Sequence, residues 1–229
     1  MKKTILHCGD RNAVIYHTDP AEYILLQPSE PDDLSSMDEE AETIKNGTAA
    51  PFLLAAVPTR DWFGELSPWP APAVFGKQAF LGRGQAFLAL LKSTVLPEIY
   101  KEMPVKENTP LIVGGYSLAG LFALWAGYEW DKVRSVAAAS PSVWFPGWMA
   151  YAEKNEIQAR SVYLSLGDRE EKTKNAVMAS VGDNIRQMHS MLSALPDMET
   201  DLIWNQGNHF QDAPGRTARA FLWAMEHTR

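Results

Sequence analysis

The chain has 229 residues, 46% of them hydrophobic and 21% charged, and a net charge of −7. That length supports one substantial core, so a single domain over residues 1–229 is expected. No run approaches the roughly twenty apolar residues of a membrane helix, and there is no basic stripe for nucleic acid, because most of the charge comes from Glu30, Asp32, Asp33, Asp38, Glu39, Glu40 and Glu42.

Met1-Lys2-Lys3 opens as a secretory leader does, but only two aliphatic residues follow before His7-Cys8-Gly9-Asp10, so no apolar leader core forms. Cys8 is the single cysteine and cannot form an internal disulfide. Both features lead to the expectation of a cytoplasmic protein. With no partner motif, Cys8 itself reads as incidental.

Residues 12–17 and 22–27 are expected strands joined at Asp19-Pro20. In the acidic stretch Leu34, Met37, Ala41 and Ile44 recur at helical spacing, one apolar stripe on a solvated helix stopped by Asn46-Gly47. Residues 51–57 are continuously apolar up to Pro58, the pattern of a strand buried on both faces. Residues 59–84 have no clear period and carry Trp62, Phe63, Trp69 and Phe75 among prolines and glycines. A long irregular segment this aromatic is expected to wall a functional cleft. Helical periodicity returns through Phe87, Leu90, Leu91, Val95 and Leu96, with Pro97 marking a kink or an end.

Leu111-Ile112-Val113-Gly114-Gly115-Tyr116-Ser117-Leu118-Ala119-Gly120 then runs from a β-branched stretch through two glycines into an apolar, alanine-rich helix. This reads as strand, sharp turn, helix, with the Ser117 hydroxyl lifted above the sheet edge and helical N–H groups beneath it. Gly115 and Ala119 lie where strand and helix backbones meet, and Gly120 allows close packing. A turn serine without chemistry would show the same local pattern, so the rest of the chain must supply the partners of a nucleophile.

A strand over residues 132–139 leads into a loop with Ser140, Pro141, Trp144, Phe145 and Trp148. Another over 161–166 ends at Gly167, and one long amphipathic helix is expected from Val177 to Leu195. Residues 200–205 form the last strand, and Asp212-Ala213-Pro214 opens the last helix. Strands alternating with helices predict a mostly parallel sheet covered on both faces.

In such a sheet reactive groups collect at the carboxyl ends of strands. A serine needs a neutral imidazole to take its proton, and that imidazole needs an acid on its other nitrogen. His209, in Gln206-Gly207-Asn208-His209-Phe210 after the last strand, has the right place in the order. His189 and His227 sit on helices, and His7 and His17 fall outside the order. Asp168, Glu170 and Glu171 share the loop after Gly167. Asp168 and Glu171 have the spacing of a helix cap, which leaves Glu170 as the favoured acid and Asp168 as the alternative, against the plain reading of a solvated helix start.

Gly115-Tyr116-Ser117-Leu118-Ala119-Gly120, Gly167-Asp168-Arg169-Glu170 and Gly207-Asn208-His209-Phe210, in that order, resemble the α/β-hydrolase esterase group that includes esterase D and the enterochelin-esterase-like hydrolases. Glu65-Leu66-Ser67-Pro68-Trp69 resembles that group's loop before its first long helix, and Ala119 departs from its usual glycine. The resemblance implies an α/β-hydrolase fold without a large cap, and ester hydrolysis by Ser117 and His209. It places the acid three residues after the glycine, at Glu170. It further implies an oxyanion site at the Leu118 N–H and a second N–H after Pro58, taken as Arg60. A small-molecule ester is the expected partner, with Trp62, Trp69, Trp144 and Trp148 lining an apolar acyl or aryl pocket. No metal or cofactor is expected, since no His/Asp/Cys cluster has ligand spacing. Thioester or peptide cleavage on the same residues, or a non-catalytic binding protein of this fold, are the rival readings.

Overall fold

The computed structural model describes residues 1–31 and 33–228, so Asp32 lies outside the described residues, as does the side chain of Leu34. Strands run β1 Lys2–Cys8, β2 Arg11–His17, β3 Tyr23–Ser29, β4 Phe52–Pro58, β5 Pro70–Ala71, β6 Phe80–Leu81, β7 Leu111–Tyr116, β8 Val133–Ala139, β9 Ser161–Gly167 and β10 Glu199–Asn205. Helices are α1 Leu34–Gly47, α2 Trp62–Glu65, α3 Gly84–Leu90, α4 Leu96–Glu102, α5 Leu118–Glu129, α6 Trp148–Lys154, α7 Ala176–Ala179, α8 Val181–Ser193 and α9 Ala213–Glu226.

Eight strands form one sheet in the order β1-β2-β4-β3-β7-β8-β9-β10. β2 is antiparallel to both of its neighbours, and every pairing from β4 to β10 is parallel. With helices on both faces this is the α/β-hydrolase fold. Met37, Ala41 and Ile44 of α1 pack with Phe221 and Met225 of α9 against one face. On the other face α5 is buried from Leu118 to Tyr128, which explains why it is apolar all round rather than amphipathic.

Four local expectations need correction. β1 went unread because it is an edge strand, exposed at every residue except Leu6 and Cys8, and so has no strong apolar pattern. The expected long helix is broken into α7 and α8 at Ser180, whose Oγ donates to the Val177 carbonyl at 2.7 Å. Between α3 and α4 the chain forms a π-helical turn over Leu91–Val95, just before Pro97, which has no N–H to continue the α-helical ladder. Finally, residues 59–84 are more ordered than their composition suggests. They hold α2 and the β5–β6 ribbon, and Ser67 ties them together by donating to the Phe63 carbonyl at 2.7 Å and accepting from the Gly82 N–H at 2.9 Å.

Candidate active site

The turn between β7 and α5 holds Ser117 at φ 58° and ψ −119°, a region that side chains seldom adopt. The surroundings fix that conformation: the Ser117 N–H donates to the Ala139 carbonyl at 3.2 Å, and the Ser117 carbonyl accepts from Ser142 at 3.1 Å and Leu121 at 3.0 Å. The small residues are steric requirements. A Cβ on Gly115 would stand 2.6 Å from the Ala119 Cβ, and one on Gly120 would stand 3.0 Å from the Gly115 carbonyl oxygen. Leu118 opens α5, so its N–H has no acceptor within the helix.

Three loops at the carboxyl ends of β7, β9 and β10 bring their side chains together. His209 Nε2 lies 3.0 Å from Ser117 Oγ, and His209 Nδ1 lies 2.7 Å from Glu170 Oε2. The Ser142 hydroxyl is 3.3 Å from that of Ser117. Glu170 Oε1 accepts from the Gly167 N–H at 2.8 Å, the Ser140 hydroxyl at 2.8 Å and Arg216 Nη1 at 3.1 Å. One carboxylate oxygen is thereby anchored, and the other is left for the imidazole. Arg216 is 1% exposed and also donates to the Gln206 carbonyl at 3.0 Å and the Tyr116 hydroxyl at 3.1 Å. The Tyr116 hydroxyl in turn donates to the His209 carbonyl at 2.8 Å. Burial raises the Tyr116 pKa, keeping the phenol a donor.

Asp168 does not reach His209. Its carboxylate accepts the Gly207 N–H at 2.9 Å and so pins the loop that carries the histidine, while Glu171 pairs with Arg186 at 2.9 Å. Neither caps a helix: the 3₁₀ turn over Glu170–Lys172 has no side-chain cap.

The cleft above Ser117 has a volume of about 480 Å³. Trp62 and Trp144 line it, together with Phe63 and Phe75 from the stretch expected to wall the cleft, and Met178, which the sequence had not singled out. Trp69 and Trp148 do not. Trp148 is fully buried and stacks on Tyr151, and the Trp69 indole donates to the Pro146 carbonyl at 2.8 Å. Both anchor the wall from behind. Arg60 is also displaced: its backbone N–H donates to Glu65 Oε2 at 3.0 Å, and its guanidinium pairs with Asp10 at 2.7 Å. Glu65 is held for this by a two-pronged contact with Arg11 at 2.6 and 2.8 Å. A larger groove of about 620 Å³ beside Tyr100, Trp130 and Lys132 lies at the opposite ends of the strands, away from Ser117.

Arg216 and Ser140 were missed in the sequence. The one available signal for Arg216 is a cation on the inward side of α9, four residues before the buried Ala220. Ser140, directly after β8, gave none.

Among the described residues no three His, Cys, Asp or Glu side chains are grouped to hold a metal ion, and no helix is long and apolar enough to cross a membrane. No family model matches the sequence, and no curated protein matches it. Solved structures do resemble it. An IroE-like serine hydrolase from Shewanella oneidensis superposes with a TM-score of 0.79 at 13% identity, over 97% of this chain and 79% of that one. The siderophore hydrolase EstA from Aspergillus nidulans gives 0.74 at 16%, over 100% and 95%. The enterobactin esterase FES from Shigella flexneri gives 0.68 at 16%, over 98% of this chain and 59% of that one. At these identities the likeness shows a shared fold, the one that the motif resemblance anticipated.

Proposed function

We propose that this protein is a serine hydrolase of carboxylic esters that works through an acyl-enzyme, with Ser117, His209 and Glu170 as its catalytic triad. The observation that carries the reading is the continuous chain from Ser117 Oγ to His209 at 3.0 Å and on to Glu170 at 2.7 Å. That the fold is shared with serine hydrolases and siderophore esterases supports it.

The Ser117 Oγ attacks the ester carbonyl as His209 Nε2 takes its proton. Glu170 keeps the proton of the other ring nitrogen in place and stabilises the imidazolium. The oxyanion is met by the Leu118 N–H at the start of α5. The Trp62 N–H is assigned the role expected of Arg60, because Trp62 borders the cleft and opens α2, where its N–H has no acceptor within the helix. His209 then protonates the leaving alcohol, and a water activated by the same imidazole releases the acid and restores Ser117. Trp62 and Trp144 give the acyl or aryl group an apolar wall. The described residues are read as one domain, and a buried lone Cys8 fits a reducing, cytoplasmic setting.

The test is a fluorophosphonate probe with ester assays. Wild-type protein is labelled at Ser117 and cleaves 4-nitrophenyl esters, whereas Ser117→Ala folds, is not labelled and loses at least about 10⁴-fold in kcat. Near wild-type turnover by that variant removes the proposal. Faster cleavage of matched thioesters would favour the thioesterase reading instead.

A further inference from the structure

The cleft that holds Ser117 is apolar within and cationic at its edge. Arg169 and Lys172 both line it and both are exposed. Among the described residues neither side chain has a hydrogen bond or ion pair. Their neighbours are engaged: Glu170 with His209 and Arg216, Glu171 with Arg186, and Asp168 with the Gly207 N–H. The backbone explains the arrangement. Lys172 N–H donates to the Arg169 carbonyl at 3.2 Å across the 3₁₀ turn, and side chains three residues apart in such a turn eclipse one another. Glu170 points inward to the histidine, Glu171 points to α8, and the two cations share the side that faces the cleft. Among the described residues Glu170 is the only acid in the lining, and it is already paired with Arg216. In a chain of net charge −7 this is a local reversal of sign beside the nucleophile.

We propose that the cleft selects esters that carry a fixed negative charge on an apolar or aromatic body, with Arg169 and Lys172 as the specificity-determining residues. The inference rests on the esterase reading and adds the substrate class. The apolar body occupies the space between Trp62, Phe75 and Trp144, and the anion sits at the rim, where two unpaired cations raise its local concentration and hold it in the Michaelis complex. A neutral ester of equal size gains only the apolar part.

Matched pairs of esters test this. In an acyl series, mono-4-nitrophenyl glutarate is compared with 4-nitrophenyl pentanoate. In an alcohol series, 4-acetoxybenzoate is compared with its methyl ester. Each kcat/KM is divided by the hydroxide-catalysed rate of the same ester to remove intrinsic reactivity. The expected ratio of anionic to neutral ester is about tenfold in at least one series, shrinking several-fold in about 0.5 M sodium chloride through screening. It should fall to about one in Arg169→Gln/Lys172→Gln and persist in Arg169→Lys/Lys172→Arg, which keeps both charges. A ratio at or below one in both series, or a ratio unmoved by the double glutamine variant, overturns the proposal and leaves the esterase reading standing. Failure to cleave any of the four esters removes both, and the fluorophosphonate experiment identifies that case separately.

Discussion

Two buried glutamates lie on either side of the Ser117 turn, and they are provided for in opposite ways. Glu170, 9% exposed, has three donors on one oxygen, the Arg216 guanidinium among them, and a histidine on the other. Glu40 of α1, 3% exposed, has one polar partner, the Gln27 amide at 3.1 Å, and its Oε1 has no partner among the described residues. It borders a cavity of about 80 Å³ that also touches Tyr116, Ala119 and Thr217, behind the nucleophile turn. Burial pushes the Glu40 pKa up to about 8. The two carboxyls are thus both hidden from water but unequally supplied with donors, and the donors are gathered at the one that meets the imidazole.

Removing the charge of Glu170 gives the largest expected effect. Glu170→Gln keeps the shape but no longer stabilises the imidazolium, so kcat/KM for a simple ester should fall by about 10³–10⁴, and the thermal midpoint should fall as well because Arg216 is left buried without its anion. A loss under tenfold would show that the two glutamates differ less than their surroundings suggest. Next is Arg216→Gln, which leaves a buried carboxylate without its cation. Unfolding in urea should show a loss of about 3–5 kcal/mol.

The smallest effect is expected at Glu40 and has the opposite sign. A carboxyl whose folded pKa is raised holds its proton while the unfolded chain ionises, so its contribution to stability is complete below the unfolded value. It is lost progressively as the pH rises towards about 8. Glu40→Gln removes that slope. Relative to wild type it should gain about 2 kcal/mol between pH 5 and about pH 6.5, read as a rising difference in urea midpoints. A difference that stays flat with pH would mean that Glu40 is as well provided with donors as Glu170.

The local chemistry of the turn was readable because it depends on neighbours in the chain. Gly115, Ala119 and Gly120 are small for steric reasons that act within five residues, and the alternation of apolar strands and helices reports a sheet buried on both faces. The order of Ser117, the acidic loop and His209 is likewise a property of the chain. The aromatics were harder. Trp144 and Trp148 lie four residues apart with equal hydrophobicity, yet one lines the cleft and the other, at the start of α6, is sealed beneath it.

The sequence alone determined the fold class, the nucleophile turn and the few loops in which its partners had to lie, because each follows from short-range sterics and periodicity. Tertiary structure decided what depends on atoms distant in the chain. It chose which acid of Asp168, Glu170 and Glu171 meets the imidazole, gave the Arg60 amide to Glu65, and brought Arg216 from the last helix under Glu170. Hydrogen bonds act over about 3 Å and carry no trace in local composition, so only the folded chain shows which donors each carboxylate receives.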